Sequence, residues 1–185
     1  MRPSKRETLL DTAERLFYEE GFHATGIDRV VAEAGVARMT LYNHFPSKDD
    51  LVRAVIERRQ GRFFAEIHRA IEARGAESAL DAVVAVHCLW LRSVSRHGCM
   101  LIKAMGEYER HGADIHALTQ RLKHDLLALI RDALALDGEP AQEAPAERVL
   151  LVLEGANALV PVLGVERTVD HIQYMVPAVL AVEAA

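Results

Sequence analysis

The stretch GVARMTLYNHFPSKDDL, residues 35–51, gathers Arg38, Met39, Thr40, Tyr42, Asn43, His44 and Lys48 within a short span. Each side chain has a use on a polar polymer. An arginine fork matches guanine, and threonine and methionine can meet a thymine methyl. Tyrosine, histidine and lysine reach phosphate oxygens. Leu41 and Phe45 are the apolar positions of the run, which leaves the others to face outward from one short helix. Lys48 falls in the first turn of the next helix, where free backbone N–H groups and the helix dipole also favour an anion. The lysine and the helix start would then grip one phosphate. The plainer alternative is a solvated surface helix.

Such a helix needs a scaffold, and the flanking residues supply one. Ser4-Lys5-Arg6-Glu7 is a capping box, followed by Leu9, Ala13, Leu16 and Phe17 at helical spacing, with Gly21 as the stop. Thr25-Gly26-Ile27-Asp28 resembles a second cap, and Ile27, Val30, Val31 and Ala34 form the stripe of a short helix ended by Gly35. A tight turn leads into the third helix, about 37–44, which Pro46 prevents from continuing. Ser47-Lys48-Asp49-Asp50 is a third capping box and opens a long helix to about Arg74. Short helices joined by a glycine-containing turn of three or four residues are the outline of a helix-turn-helix.

The remainder also reads as helices. Residues 77–97 are apolar nearly all round, which places that helix inside a bundle. A shorter segment at about 99–110 and a helix at about 114–136 follow. The stretch DGEPAQEAPAE, 137–147, reads as a loop. Two last helices are expected at about 146–163 and 167–183, with Pro161 and Pro177 bending or ending them. The expected fold is all-α, with about nine helices. A three-helix domain with the helix-turn-helix would occupy 1–48 and a second helical domain 49–185.

Composition narrows the function. Among 185 residues, half are apolar, so a sizeable core can form. The net charge of −5 is unevenly spread: residues 1–62 carry 11 Lys/Arg against 10 Asp/Glu, and residues 63–185 carry 11 against 17. Local charge governs phosphate contact, so an acidic total does not exclude DNA. No run of apolar residues is long enough to span a membrane, and MRPSKRETLL meets charge too early for a signal peptide. Cytoplasm is the expected compartment. Cys88 and Cys99 make no disulfide framework. No cofactor motif, phosphate loop or nucleophile elbow is present, so an enzyme is not expected, and Glu107 and Glu109 read as solvated charges. Nine histidines raise a metal site, but no CxxC or HxxxH pair supports one.

Residues 7–51 resemble the DNA-binding region of the TetR family of bacterial regulators. The resemblance rests on Gly21-Phe22, Ala24-Thr25, Ala34-Gly35-Val36, Thr40-Leu41-Tyr42-Asn43-His44-Phe45 and Ser47-Lys48-Asp49-Asp50-Leu51. The chain departs from the family pattern at three places. Gly26 stands where a Ser or Thr cap is usual, so Thr25 is expected to take that role and touch DNA. Asp28 sits early in the second helix, where a basic residue would help phosphate binding, and Met39 replaces a common glycine. The resemblance implies a homodimer on double-stranded DNA, with two reading heads in successive major grooves about 34–36 Å apart. It implies a near-palindromic operator, and a small-molecule effector that favours a state unfit for DNA, most simply a released repressor. A helical binding module with an inactive reading head is the alternative; the intact Thr40, Tyr42, His44 and Lys48 argue against it.

Two further sets of residues follow. Large apolar faces mark interfaces, so Leu153, Ala156, Leu159 and Val160, with Ile172, Met175, Val176 and Val179, are expected at the dimer interface. The family implies a four-helix bundle there; the alternative is ordinary core. Polar groups on apolar helices mark pockets. His87, on one stripe with Leu91, is expected to meet the effector, with Trp90, Met100, Met105 and Tyr108 lining the cavity; Glu154 and Asn157 interrupt an apolar helix and face either that pocket or the dimer partner, and the plainer alternative for each is ordinary core.

Overall fold

A computed structural model describes residues 3–139 and 143–181, and among these residues it contains nine helices and no strand. They are α1 (Lys5–Glu20), α2 (Ile27–Ala34), α3 (Arg38–His44), α4 (Lys48–Ala73), α5 (Ala79–Ser93), α6 (Met100–Tyr108), α7 (Ala113–Leu136), α8 (Glu143–Leu163) and α9 (Val165–Leu180).

The starts and stops follow from local chemistry. Ser4 Oγ accepts from the Glu7 N–H at 3.2 Å and caps α1. The Glu7 carboxylate turns to Arg58 instead of closing the box. Ser47 Oγ accepts from the Asp50 N–H at 3.1 Å and caps α4, and it donates to the Asp50 carboxylate at 2.7 Å. Gly35 ends α2 with φ 63°, a left-handed turn that suits glycine, and the Val36 N–H reaches back to the Val31 carbonyl at 3.1 Å. The second cap differs from expectation. Gly26 is the N-cap of α2 and contributes no side chain. The fully buried Thr25 hydroxyl donates to the Gly21 carbonyl at 2.7 Å, closing the turn after α1.

α8 also differs from the sequence reading. It begins at Glu143, inside the stretch read as a loop, because Pro145 falls in its first turn, where a missing N–H costs nothing. Residues 140–142 lie outside the described part. Pro161 and Pro177 are accommodated inside α8 and α9, each within the last turn or so.

The helices form two compact units. The first comprises residues 1–62 and 100–120, and the second 63–99 and 121–185. The boundary expected after residue 48 coincides with the first residue of α4, yet by packing the first unit keeps α4 as far as Arg62 and adds α6. In the first unit, α1, α2 and α3 pack on one another around Leu9, Leu16, Phe17, Val30, Leu41 and Phe45. In the second, α5, α8 and α9 share a core that includes Val83, Leu91, Val149, Leu153, Val169 and Ile172.

Candidate nucleic-acid interface

α3 is short, and its burial pattern divides it cleanly. Leu41 is fully buried, and Phe45 at its C-cap nearly so. Met39 is 69% exposed, and Arg38, Asn43 and His44 are exposed as well. Thr40 and Tyr42 are half-buried, with one edge open. The same run of residues thus anchors the helix and presents a polar face, as a helix in a major groove requires.

Arg38 is not free in this face. Its guanidinium lies 2.8 Å from Asp28 on α2 and sits over the Tyr42 ring at 5.7 Å. The Tyr42 hydrogen bond and the Asp28 carboxylate raise its pKa, so its charge is secure. Asp28, read from sequence only as a departure, therefore holds the arginine across the helix-turn-helix. We expect Arg38→Ala to relax base preference at one operator position, by about 1–3 kcal/mol of discrimination. Selection of binding sites with the variant tests this; a uniform loss over all sequences would make Arg38 a phosphate contact.

Lys48 is half-buried, and burial lowers its pKa despite the nearby Asp49 and Glu107 charges. Its ammonium donates to the His23 carbonyl at 3.4 Å, so it also steadies the turn between α1 and α2. That turn is held from α6. The Glu107 carboxylate accepts the Phe22 and His23 N–H groups at 3.0 and 2.7 Å, and the Tyr108 ring packs against Phe22 and His23. Glu107 is therefore a cap on the turn and not a solvated charge. No spacing signal announces it, because its partners lie 84 and 85 residues away in sequence.

Thr25 leaves the set of candidate DNA contacts, since its hydroxyl points into the protein. Arg38, Met39, Thr40, Tyr42, Asn43, His44 and Lys48 remain together in α3 and the start of α4.

The expected pocket residues divide between the units. Met100, Met105 and Tyr108 belong to the first. Tyr108 is fully buried, and its ring packs against the 22–23 turn. His87, Trp90, Leu91, Glu154 and Asn157 belong to the second. Leu91 is plain core. The Trp90 ring lies tilted against Phe63 at 5.2 Å, and Phe63 meets His87 edge-on at 6.0 Å. Two residues that sequence reasoning missed complete this region. Lys123 of α7 lies 2.5 Å from Glu154 and 3.3 Å from Cys99 Sγ. Gly98, with φ 93°, allows the close passage: a Cβ there would lie 2.6 Å from the Asn157 carbonyl.

The interface residues need the largest correction. Leu153, Val160, Ile172 and Val176 are buried in the core of the second unit. Each of α8 and α9 has two apolar sides, and these four take the inner one. The outer side carries Leu151, Leu159 and Val162 on α8 and Tyr174 and Met175 on α9, all exposed. A groove of about 310 Å³ runs between the two helices, walled by Leu151, Gly155, Ala156, Leu159, His171 and Met175. Of the expected positions, Ala156, Leu159 and Met175 line this groove together with the buried Ile172, and Val179 is half-buried.

Residues 9–55 match the family model described as bacterial regulatory proteins, tetR family. The chain is 31% identical to SCO4454, a TetR-family transcriptional regulator from Streptomyces coelicolor, with a TM-score of 0.86 over 95% of this chain and 94% of that one. It is 32% identical over 133 residues to the transcriptional repressor ComR of Escherichia coli, covering 66% of this chain and 63% of ComR. It is 36% identical over 70 residues to the transcriptional activator FasR of Mycolicibacterium smegmatis, covering 38% of this chain and 32% of FasR. The chain thus spans less than two thirds of either curated relative. An exposed polar α3 on a helix-turn-helix, the matched model and a likeness to SCO4454 along nearly the whole chain converge: this chain belongs to the TetR family of bacterial regulatory proteins, which are DNA-binding regulators and not enzymes.

Proposed function

We propose that this chain is a dimeric, ligand-released repressor that binds a near-palindromic operator. The observation that carries the reading is the division of α3, with Leu41 and Phe45 inside and Arg38, Met39, Asn43 and His44 outside. Two copies would join through the outer faces of α8 and α9, because a contiguous apolar surface with a groove is costly to leave in water. A small molecule held by the second unit would act through α4 and α7, since each helix has residues in both units. To release DNA, it must bind the incompatible state more tightly than the competent one.

The test is selection of operators from random duplexes at about 150 mM salt. A recovered palindrome, with half-sites about one helical turn apart, supports the reading. Absence of any enrichment from protein stripped of small molecules would overturn it. With the operator in hand, Lys48→Ala is expected to lower the slope of affinity against salt by about one phosphate contact. An unchanged slope would confine Lys48 to holding the His23 turn.

A further inference from the structure

The interior of the second unit contains one well-matched ion pair and one imidazole with nothing to bond. Lys123 and Glu154 form the ion pair whose side chains are both largely buried among the described residues of this unit, at 2.5 Å. Asn157 Nδ2 donates to the second Glu154 oxygen at 3.4 Å, and Lys123 also reaches Cys99 Sγ. The ammonium is therefore met by a full negative charge. His87 is 4% exposed, and neither of its ring nitrogens has a partner among the described residues. Burial and the Lys123 charge bring its pKa down to about 3, so the ring is neutral. It then offers one N–H donor and one bare acceptor nitrogen.

Buried polar groups are normally bonded to protein or to ordered water, so an unpaired buried ring marks a place for a polar partner. We propose that the effector is an uncharged, mostly apolar molecule with a single hydroxyl or carbonyl group, and that this group bonds the His87 imidazole. The inference rests on the reading that the second unit takes a small molecule. Phe63, edge-on to His87, and Trp90, tilted against Phe63, offer an aromatic wall for the apolar body. A carboxylate at Lys123 would share the ammonium with Glu154 and set a second negative charge beside the first. An ammonium at Glu154 would likewise set a second positive charge beside Lys123. His87, already neutral beside a lysine, does not protonate to receive an anion. Either ionic ligand would thus bring an unmatched charge into a low-dielectric interior, whereas a neutral group adds a bond and no charge.

The experiment titrates the full chain, by calorimetry and by shift of the melting transition, with two matched series. One is naphthalene, 2-naphthol, 2-naphthoate and 2-naphthylmethylammonium; the other is decane, decanol, decanoate and decylammonium. In at least one series the hydroxyl compound is expected to bind about tenfold tighter than its hydrocarbon parent and than both ions. His87→Phe, which keeps a ring in place, should erase the advantage over the parent and leave the parent's own affinity unchanged. Tighter binding of an ionic member, or a hydroxyl advantage that survives His87→Phe, overturns the inference and leaves the effector reading standing. Silence from all eight compounds overturns the effector reading and the inference with it. Should His87→Phe fold poorly, the ring nitrogen resonances of His87 in the unaltered protein decide: they shift on adding the hydroxyl compound, or the inference is wrong.

Discussion

A glutamate at position 159 is expected to turn the dimer into monomers and to lower operator affinity by about a hundred- to ten-thousandfold. Leu159 is 50% exposed in the single chain and walls the α8–α9 groove, so in a dimer built there its side chain is covered. A carboxylate at such a place loses its water and gains no partner, which costs several kcal/mol per ion. Two copies make two such charges on facing surfaces. The large effect on DNA follows from linkage: in a dimer, binding of the second reading head is intramolecular, and that advantage vanishes in monomers. Light scattering reads the assembly, and an operator titration reads the affinity. Met175→Glu, on the facing helix, should behave alike. A dimer that survived both would place the interface elsewhere. Leu153→Ala is the contrasting variant. It leaves the outer surface intact but opens a cavity in the subunit core, so it should lower stability by about 2–5 kcal/mol with no specific loss of dimer.

Glu14→Gln is expected to lower stability by about 3–5 kcal/mol, read by thermal or denaturant unfolding. Glu14 lies on the inner side of α1, 8% exposed, and its carboxylate accepts from three arginines of α4. Arg58 lies at 2.8 Å and Arg59 at 2.9 Å, with Arg62 on the same oxygen as Arg59. An amide keeps the shape but removes the charge, leaving two largely buried guanidiniums without it. Acid reveals the same ion cluster. Burial pushes the carboxyl pKa up, but the Arg58 hydrogen bond and the Arg62 and Arg59 charges outweigh it and hold the pKa below its ordinary value. A pKa lower in the folded state means that the stabilisation is fully present above the unfolded value, about 4.3 for Glu, and is lost as pH falls through the folded value. The unaltered protein should therefore lose stability on acidification below about pH 4 more steeply than Glu14→Gln. Parallel acid limbs for the two proteins would remove Glu14 from the cause.

The helix-turn-helix was legible in the chain because its signals are local. A serine three residues before the acidic residue of its box, a glycine in a left-handed turn and an apolar position every three or four residues act within one helix or across one turn. The polar run of α3 is local too: with Leu41 and Phe45 as its inward anchors, the outward positions follow from helix geometry. Resemblance to a family added the dimer and the effector, which no spacing within this chain contains.

Other features needed the assembled tertiary structure. α8 and α9 are apolar on two sides, and hydrophobic periodicity alone cannot say which side faces its own core and which remains for another chain. Packing of α9 against α8, around a core shared with α5, turned Leu153 inward and Leu159 outward. Thr25 has the composition of a cap, yet the turn at Gly21 captured its hydroxyl. Glu107 and Lys123 look like ordinary surface charges on their helices, and Glu154 like a pocket group on an apolar one. They became a turn cap and a buried ion pair because partners 31 to 85 residues distant were brought within hydrogen-bonding range. Local sequence sets where helices begin, end and present polarity; burial of a second face and pairing of distant charges depend on which helices meet, and only the packed chain decides that.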